Sequence, residues 1–445
     1  MSECCCCCCC PSTRLEVQSS SITGRLSEGL RAAGRGAQAP AAAAFLAVGC
    51  SRELNRRKNC DQLSMILRIV FAALCVLLLL DGIQARDITT IFTHDEMQQC
   101  VRFRTPNLVR TPTSVHLIAR CCGINRCSDH KSALSENRRR SRFHGVNQVG
   151  DNVKDCQVVV KSSRDGGVSW SGLQVVTPSG KTGYANGAGI YDRNRDQIVL
   201  QYQYIPLSST APMVNVSYFQ VISRDDSKTW ANPVDITEQL QGCNPDSGNM
   251  QAQSAGNKVQ TGSGRLLFAG HAHGSEDSTG VCLWHSDDGG VTYKTTPLTG
   301  GKSEVSVANT EMHLNRLLIN GRGNNFRWFP HRTDYRSSDN GDSWSAPSES
   351  ELLEDGEKAC ERALIQGYNA TMFSSEPHLK KRAGMTISCS KDYGVTWPKT
   401  TDVNGDNAGG YSDLVAIDPE TLLMVWEDNE SGNMYSVQTT VSDWC

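Results

Sequence analysis

The sequence lacks a charge excess of either sign. Its 44 Lys and Arg residues nearly balance 47 Asp and Glu residues, which leaves a formal net charge of -3 over 445 residues. Binding to nucleic acid or to a membrane surface through the overall field requires a strong or segregated charge. The composition therefore gives no reason to expect such a partner, and any charged ligand must be bound by local residues.

The apolar run near the N-terminus is too short to span a bilayer, which takes about 20 residues. It covers residues 69–80, follows Met65-Ile-Leu-Arg68 and precedes the small residue Ala85. A basic start, a short apolar region and a small residue are typical of a secretory signal peptide. We expect one over residues 65–85, with translation starting at Met65 and no stable membrane span after cleavage. The alternative is a signal anchor that holds residues 1–64 in the cytoplasm.

Residues 1–64 have almost no aromatic side chains and contain a cysteine run at positions 4–10. A segment of this kind cannot bury enough apolar surface to offset its conformational entropy. We expect a disordered low-complexity extension, which a mis-assigned translation start would explain. Metal binding is disfavoured because the cysteine run has no spaced ligand pairs and no histidine.

The segment 86–445 carries ten cysteines and three glycosylation sequons, which agree with export. The even number suits disulfides in an oxidising compartment, although sequence alone gives no pairing. The cysteines form no Cys-x-x-Cys couple with a matching partner, so we expect no zinc site. The sequons begin at Asn215, Asn369 and Asn429; the cysteines are Cys100, Cys121, Cys122, Cys127, Cys156, Cys243, Cys282, Cys360, Cys389 and Cys445.

An eight-residue pattern, Ser-x-Asp-x-Gly-x-Ser/Thr-Trp/Tyr, repeats along this segment, and we call it the Asp box. Its copies begin at Ser163, Ser223, Ser286, Ser337 and Ser390, and are 60, 63, 51 and 53 residues apart. The Asp side chain can accept hydrogen bonds from the turn, and Gly supplies a positive φ there. The second copy has Ser227 in place of the glycine.

The spacing of the boxes is about that of one four-stranded propeller blade. Short β-branched or aromatic segments lie between them, and no long helical period competes after residue 86. We predict an all-β, six-bladed β-propeller over residues 86–445. The Asp-box aspartates are expected to be structural.

Several motifs resemble the sialidase (neuraminidase) superfamily over roughly residues 95–440. Phe103-Arg104-Thr105-Pro106 is similar to its Phe/Tyr-Arg-Ile-Pro signature, with Thr105 replacing the isoleucine. Residues 311–322 and 382–390 match segments that hold two further arginines, and Tyr411-Ser-Asp-Leu414 resembles the Tyr-Ser-x-Leu motif. Residues 271–288 are similar to animal lysosomal sialidases.

This resemblance implies a retaining exo-α-sialidase of the secretory pathway, lysosomal or secreted, that acts on sialylated glycans and needs no cofactor. Arg104, Arg322 and Arg382 would bind the sialic acid carboxylate, because a guanidinium fork pairs with it through charge-assisted hydrogen bonds. Arg120 would contact the far side of the sugar.

The resemblance also implies Tyr411 as the nucleophile and Glu311 as its base. A neutral phenol avoids the repulsion that an anionic nucleophile would meet at this carboxylate-bearing centre. Asp151 is the expected acid, with Asp155 and Asp129 as rivals. His271 and His273 are expected to be ordinary strand or loop residues, because no third metal ligand stands at usable spacing.

Two other interpretations stay open. Tyr411 could be an aromatic residue on the rim of the propeller, and Glu311 could be a solvated charge at the end of a strand. At the level of function, the alternatives are a trans-sialidase, a sialoglycan-binding propeller without catalysis and a protein-interaction propeller. Retention of a nucleophile, a base and an acid together argues against the two non-catalytic functions, because binding needs only the arginines.

Overall fold

The computed structural model describes residues 87–93, 100, 102–123, 156–179, 183–205, 216–243, 251–273, 279–298, 304–322, 332–350, 360–377 and 382–445. The predictions made for residues 1–64 and for the signal peptide lie outside this part of the chain. Within it, no helix has both the length and the apolar character needed to cross a membrane.

The described residues form 24 strands and a few short helices. In chain order the strands are β1 (Thr89–Phe92), β2 (Arg102–Arg110), β3 (Val115–Cys122), β4 (Cys156–Ser163), β5 (Gln174–Val175), β6 (Tyr184–Asp192), β7 (Gln197–Tyr204), β8 (Ser217–Ser223), β9 (Val234–Asp235), β10 (Gln251–Gln260), β11 (Leu266–His273), β12 (Thr279–Ser286), β13 (Lys294–Leu298), β14 (Val305–Glu311), β15 (Arg316–Gly321), β16 (Thr333–Ser337), β17 (Ser348–Glu349), β18 (Ala363–Gln366), β19 (Met372–Pro377), β20 (Met385–Ser390), β21 (Lys399–Asp402), β22 (Ser412–Ala416), β23 (Thr421–Glu427) and β24 (Met434–Thr440). The 3-10 helices are Thr237–Cys243, Met312–Leu314 and Tyr368–Ala370, and the α-helix α1 is Val441–Trp444.

The strands form six antiparallel sheets of four strands each, which confirms the predicted six-bladed β-propeller. Blades 1 to 5 are the consecutive groups β2–β5, β6–β9, β10–β13, β14–β17 and β18–β21. Blade 6 has the order β22-β23-β24-β1, and its outermost strand therefore comes from the start of the described chain. Pairing of Thr89 in β1 with Ser436 in β24 closes the ring and completes blade 6 with a fourth strand.

The Asp boxes form the turns between the third and fourth strands of blades 1 to 5, so one repeat corresponds to one blade. In the first box, Asp165 accepts hydrogen bonds from the backbone N–H of Ser169 at 2.9 Å and from its hydroxyl. These bonds lower the pKa of Asp165 to about 2. The following Gly167 has φ +104, and a Cβ there would lie 2.7 Å from Leu423 of blade 6.

The apolar core lies between neighbouring blades. Leu117 and Val159 of blade 1 pack with Leu423 and Val425 of blade 6. In the same way, Ala188, Ile190 and Val199 of blade 2 share a buried cluster with Phe268 and Trp284 of blade 3. Burial of these sheet faces against each other is the main stabilising term for such a ring.

The first strands of the blades surround the propeller axis. Each begins at one face of the ring, here called the upper face, and ends at the lower face. Polar contacts join these strands: the Asn107 side chain accepts the Gly189 N–H at 3.0 Å, and Asp413 accepts the Leu108 N–H at 2.7 Å. Positions at the start of each first strand are therefore brought together at the upper face.

Four disulfides connect eight of the ten cysteines: Cys100–Cys121, Cys122–Cys156, Cys243–Cys282 and Cys389–Cys445. Among the described residues Cys360 is free and buried. The tenth cysteine, Cys127, lies outside the described part of the chain.

Candidate active site

Tyr411 and Glu304 meet at the upper face of the propeller. Tyr411 immediately precedes β22 of blade 6 and Glu304 immediately precedes β14 of blade 4, so both side chains enter from the same end of the ring. The Tyr411 hydroxyl donates a hydrogen bond to Oε1 of Glu304. The other oxygen of Glu304 accepts from the Arg322 guanidinium. Phenol, carboxylate and guanidinium therefore form one continuous chain of polar groups.

Arg104 and Arg382 lie against the ring of the same tyrosine. Their guanidinium carbons are 5.5 Å and 5.4 Å from the centroid of the Tyr411 ring, within the range of cation–π attraction. Arg104 comes from β2 of blade 1, Arg322 from the end of β15 and Arg382 from the loop before β20. The structure thus brings together the three arginines and the tyrosine that sequence analysis singled out, from four different blades.

The charges around Tyr411 act on its proton in opposite directions. Burial and the Glu304 carboxylate raise the pKa of the phenol, and the three arginines lower it only in part, so that it stays well above its ordinary value. The phenol is therefore neutral in the empty site and donates to Glu304. Burial disfavours the Arg322 charge, but Glu304 and Tyr411 outweigh this effect and raise the pKa of Arg322.

Glu427 holds Arg104 in place. It ends β23, is fully buried, and both of its carboxylate oxygens lie 3.0 Å from Nε of Arg104. One of them also accepts the backbone N–H of Thr105 at 2.8 Å. The Glu427 N–H donates to the Tyr411 carbonyl at 3.0 Å. The Glu427 carboxylate thus holds Arg104 in place, and the Glu427 backbone N–H holds the backbone of Tyr411.

Thr105, the departure from the family signature, lies at a β-bulge. Its φ is 53°, and the register with β3 shifts between Arg104 and Asn107. A positive φ is rare for a β-branched residue, and bulges commonly redirect a neighbouring side chain. The contact of the Thr105 N–H with Glu427 stabilises this conformation and with it the direction of Arg104.

Arg120 lies beside Arg104 in blade 1. The two residues are direct cross-strand partners in the register of β2 and β3, so their side chains share one face of the sheet. Arg120 is almost fully buried. This position agrees with a place next to the arginine cluster, and its contact with the far side of a sugar stays a prediction.

Glu311 is not at the site, and this corrects the expected position of the base. It is the last residue of β14, whereas Glu304 comes just before the first. Seven extended residues span about 23 Å, so Glu311 lies at the lower face. There it pairs with Arg316 at 2.5 Å across the turn to β15. The carboxylate that contacts the phenol is Glu304.

The expected acid, Asp151, and its rivals Asp155 and Asp129 lie outside the described residues, so their roles stay predictions. His271 and His273 are in β11, as expected for strand residues, but their side chains are not described. Within the described ranges no group of three or more His, Cys, Asp or Glu side chains is placed to hold a metal ion.

Cys360 is a further residue at the site that the sequence did not suggest. It precedes β18 and is almost fully buried close to Arg382 and Arg322. Burial raises the pKa of its thiol to about 12, although both arginines oppose the shift. The thiol is therefore protonated and cannot compete with Glu304 for the arginine charges.

Sequence reasoning missed Glu304 and Glu427 because neither belongs to a quoted motif. A positional signal was available for both. Glu304 precedes a buried strand just as Tyr411 does, and Glu427 ends the apolar run of β23. An alignment of the first strands of the blades at their starting residues would therefore have identified Glu304.

Comparisons with known proteins agree with this geometry. Residues 149–422 match the family model described as BNR repeat-like domain. A "Sialidase" of Bacteroides fragilis (strain YCH46) is 25% identical over an alignment of 318 residues that covers 64% of this chain and 56% of that protein. The chain therefore spans little more than half the length of this relative.

Solved structures share the fold. A Hadza microbial sialidase superposes with a TM-score of 0.62 at 20% identity and covers 78% of this chain and 67% of its own. The intramolecular trans-sialidase from Ruminococcus gnavus gives 0.61 at 12% identity, with 80% and 98% covered. The family model spans more than half of the sequence. The chain therefore belongs to the BNR repeat-like domain family and has a sialidase-like six-bladed propeller.

Proposed function

We propose that the protein is a retaining exo-α-sialidase that removes terminal sialic acid from glycans. The observation that carries the proposal is the convergence of Arg104, Arg322 and Arg382 on one phenol that donates to a carboxylate. A glycan-binding surface would need the cations but would gain nothing from a tyrosine coupled to a carboxylate base.

The arginines suit an anionic sugar. A sialic acid carboxylate could accept charge-assisted hydrogen bonds from guanidinium groups that a neutral hexose could not use. Because Tyr411 is neutral in the empty site, it would not repel the arriving carboxylate. Burial of Arg104 and partial burial of Arg322 and Arg382 strengthen the attraction, since less water competes for the charges.

The reaction would proceed by double displacement. Glu304 takes the phenolic proton while the Tyr411 oxygen forms a bond to the anomeric carbon. The bond from this carbon to the glycan oxygen breaks, and an acid, for which Asp151 is our candidate, protonates the leaving oxygen. Water then loses a proton to the carboxylate form of that acid and attacks the anomeric carbon from the vacated side. The bond from this carbon to the Tyr411 oxygen breaks, Glu304 returns its proton to that oxygen, and the outcome is net retention.

The cellular context follows from sequence and is proposed on that basis. The expected signal peptide over residues 65–85, the sequons and the disulfides favour the secretory pathway. The similarity of residues 271–288 to animal lysosomal sialidases favours lysosomal or secreted protein acting on glycoproteins or glycolipids.

A fluorogenic sialoside assay tests the proposal. We expect turnover by the wild type, loss of at least about a thousandfold in kcat in Tyr411→Phe, and a comparable loss in Glu304→Gln, because both remove the activated nucleophile. Glu311→Gln is the matched control. It changes a glutamate at the other end of β14, at the lower face, and should retain activity.

Nuclear magnetic resonance of the first product should show the α-anomer of sialic acid. Sialoside binding without turnover in the wild type would overturn the enzyme in favour of a lectin-like propeller. Transfer to an added acceptor sugar in place of water would instead identify a trans-sialidase.

A further inference from the structure

Two of the three glycosylation sequons lie on described residues, and their surroundings differ. Asn369 is in the turn between β18 and β19, and Asn429 is in the loop that follows β23. The third, Asn215, lies outside the described part of the chain. We propose that Asn369 is an N-glycosylation site, and that Asn429, despite the same motif, carries no glycan in the folded protein, where its amide positions the Tyr411 loop.

Asn369 is presented outward at the lower face. The residue is exposed, and its side chain makes no hydrogen bond within the described residues. The turn is closed by the backbone alone, through the Gly367 N–H to the Thr371 carbonyl at 2.8 Å. Asn369 has φ 54°, a conformation that asparagine tolerates better than most residues. A glycan here would displace no contact.

The position of Asn369 also keeps a glycan away from the arginine cluster. The hydroxyl of neighbouring Tyr368 accepts a hydrogen bond from Arg110 at 3.2 Å. Arg110 is the last residue of β2, whereas Arg104 is its third. Six extended residues span about 20 Å, so the turn lies on the face opposite to Tyr411.

Asn429 is bound into the site instead. Its side-chain amide donates to the Gly409 carbonyl at 2.7 Å, and its own carbonyl accepts from Arg102. A Cβ on Gly410 would lie 2.5 Å from this amide nitrogen, so the two are in close contact. The Gly409 N–H donates to the Arg382 carbonyl at 3.0 Å. The Asn429 amide thereby fixes the glycine pair that carries Tyr411 beside Arg382.

A glycan on Asn429 is incompatible with this arrangement. N-glycosylation forms a bond from the amide nitrogen to the anomeric carbon of an oligosaccharide, with loss of one amide proton. The bond between this carbon and the pyrophosphate oxygen of the lipid-linked donor breaks, and lipid pyrophosphate leaves. On Asn429 the new sugar would occupy the space between the nitrogen and Gly409–Gly410, so the folded site would be lost.

The proposal rests on the export that the proposed function also assumes, and site occupancy is read independently of activity. The full chain would be expressed in insect cells and treated with peptide-N-glycosidase in heavy-oxygen water, which labels each formerly glycosylated Asn as Asp. We expect the label on the Asn369 peptide and none on the Asn429 peptide; the Asn215 peptide is scored separately.

Matched variants complete the test. Asn369→Gln and Thr371→Ala should each lose the mass of one glycan and keep wild-type sialidase activity. Ser431→Ala, which destroys the other sequon but keeps the Asn429 amide, should lose no glycan mass. Asn429→Asp should lower kcat about tenfold without changing glycan mass, and its thermal midpoint should stay near that of Ser431→Ala.

No glycan on Asn369, or a glycan on Asn429, would overturn the proposal. Labelling of Asn369 in a protein with no sialidase activity would instead contradict the proposed function and leave the assignment of the glycan intact. Full activity of Asn429→Asp would remove its positioning role.

Discussion

Lys258 and Asp413 form an ion pair at 2.6 Å that crosses the propeller axis, from the first strand of blade 3 to the first strand of blade 6. Both are largely buried, and Asp413 also accepts the Leu108 N–H of blade 1. Three blades therefore meet at one carboxylate, two residues beyond Tyr411 in the chain. The pair fixes the strand on which the tyrosine depends.

Replacing Lys258 with Met should destabilise the protein by about 3 kcal/mol, because the Asp413 carboxylate would remain buried without its counter-charge. Unfolding by urea, followed by tryptophan fluorescence, measures this. The double variant Lys258→Met/Asp413→Asn should recover part of the loss, since the neutral amide can still accept from Leu108. A single variant within about 0.5 kcal/mol of wild type would mean that the pair contributes nothing.

The arginine cluster could be anticipated from sequence, whereas the base could not. Arg104, Arg322, Arg382 and Tyr411 stand in motifs that resemble those of the sialidase superfamily, and this resemblance implied that they converge. The choice between Glu304 and Glu311 depends on which end of β14 lies at the upper face. The motif over residues 311–322 does not determine which end of β14 lies there.

The blade count was similarly predictable, but the closure of the ring was not. Five Asp boxes mark blades 1 to 5 and leave the sixth without one. Its fourth strand is β1, which precedes all the others in sequence and pairs with β24. Such a long-range pairing depends on the complete ring and leaves no local pattern.

Glu427→Gln should weaken substrate binding by roughly 10- to 100-fold in kcat/KM, mainly through KM. The variant removes the charge that orients Arg104, and a hydrogen bond to a charged group contributes about 1.5–3 kcal/mol. Steady-state kinetics with a fluorogenic sialoside would separate KM from kcat. Glu430→Gln, an exposed glutamate in the next loop, is the control and should behave as wild type. An equal effect of both variants would argue against the orienting role.

Ser227→Gly should stabilise the protein by about 1 kcal/mol, because a non-glycine residue pays roughly this much in the left-handed region. Ser227 has φ 65° where the other Asp boxes have glycine, and its buried hydroxyl has no hydrogen-bond partner among the described residues. Thermal unfolding would show a raised midpoint.

The neighbouring Asp226 serves as a control for relief of backbone strain, since its φ is also positive, at 60°. Its carboxylate accepts hydrogen bonds from Thr111, Ser114 and His116 of blade 1 at 2.7, 2.6 and 3.0 Å. Asp226→Gly should therefore lower the midpoint although it relieves the same backbone strain. If both glycine variants raised the midpoint, backbone conformation alone would decide the outcome.

Cys360 should resist alkylation in the folded protein. Only the thiolate reacts with iodoacetamide, and burial raises the pKa of this thiol to about 12, so almost none of it is ionised at pH 8. The surrounding side chains also leave it nearly inaccessible. Mass spectrometry of the peptide that contains Cys360 should show modification only after addition of urea, without reduction of the disulfides. Labelling of this peptide in native buffer at the rate of a free thiol would contradict the burial of Cys360 in the folded protein.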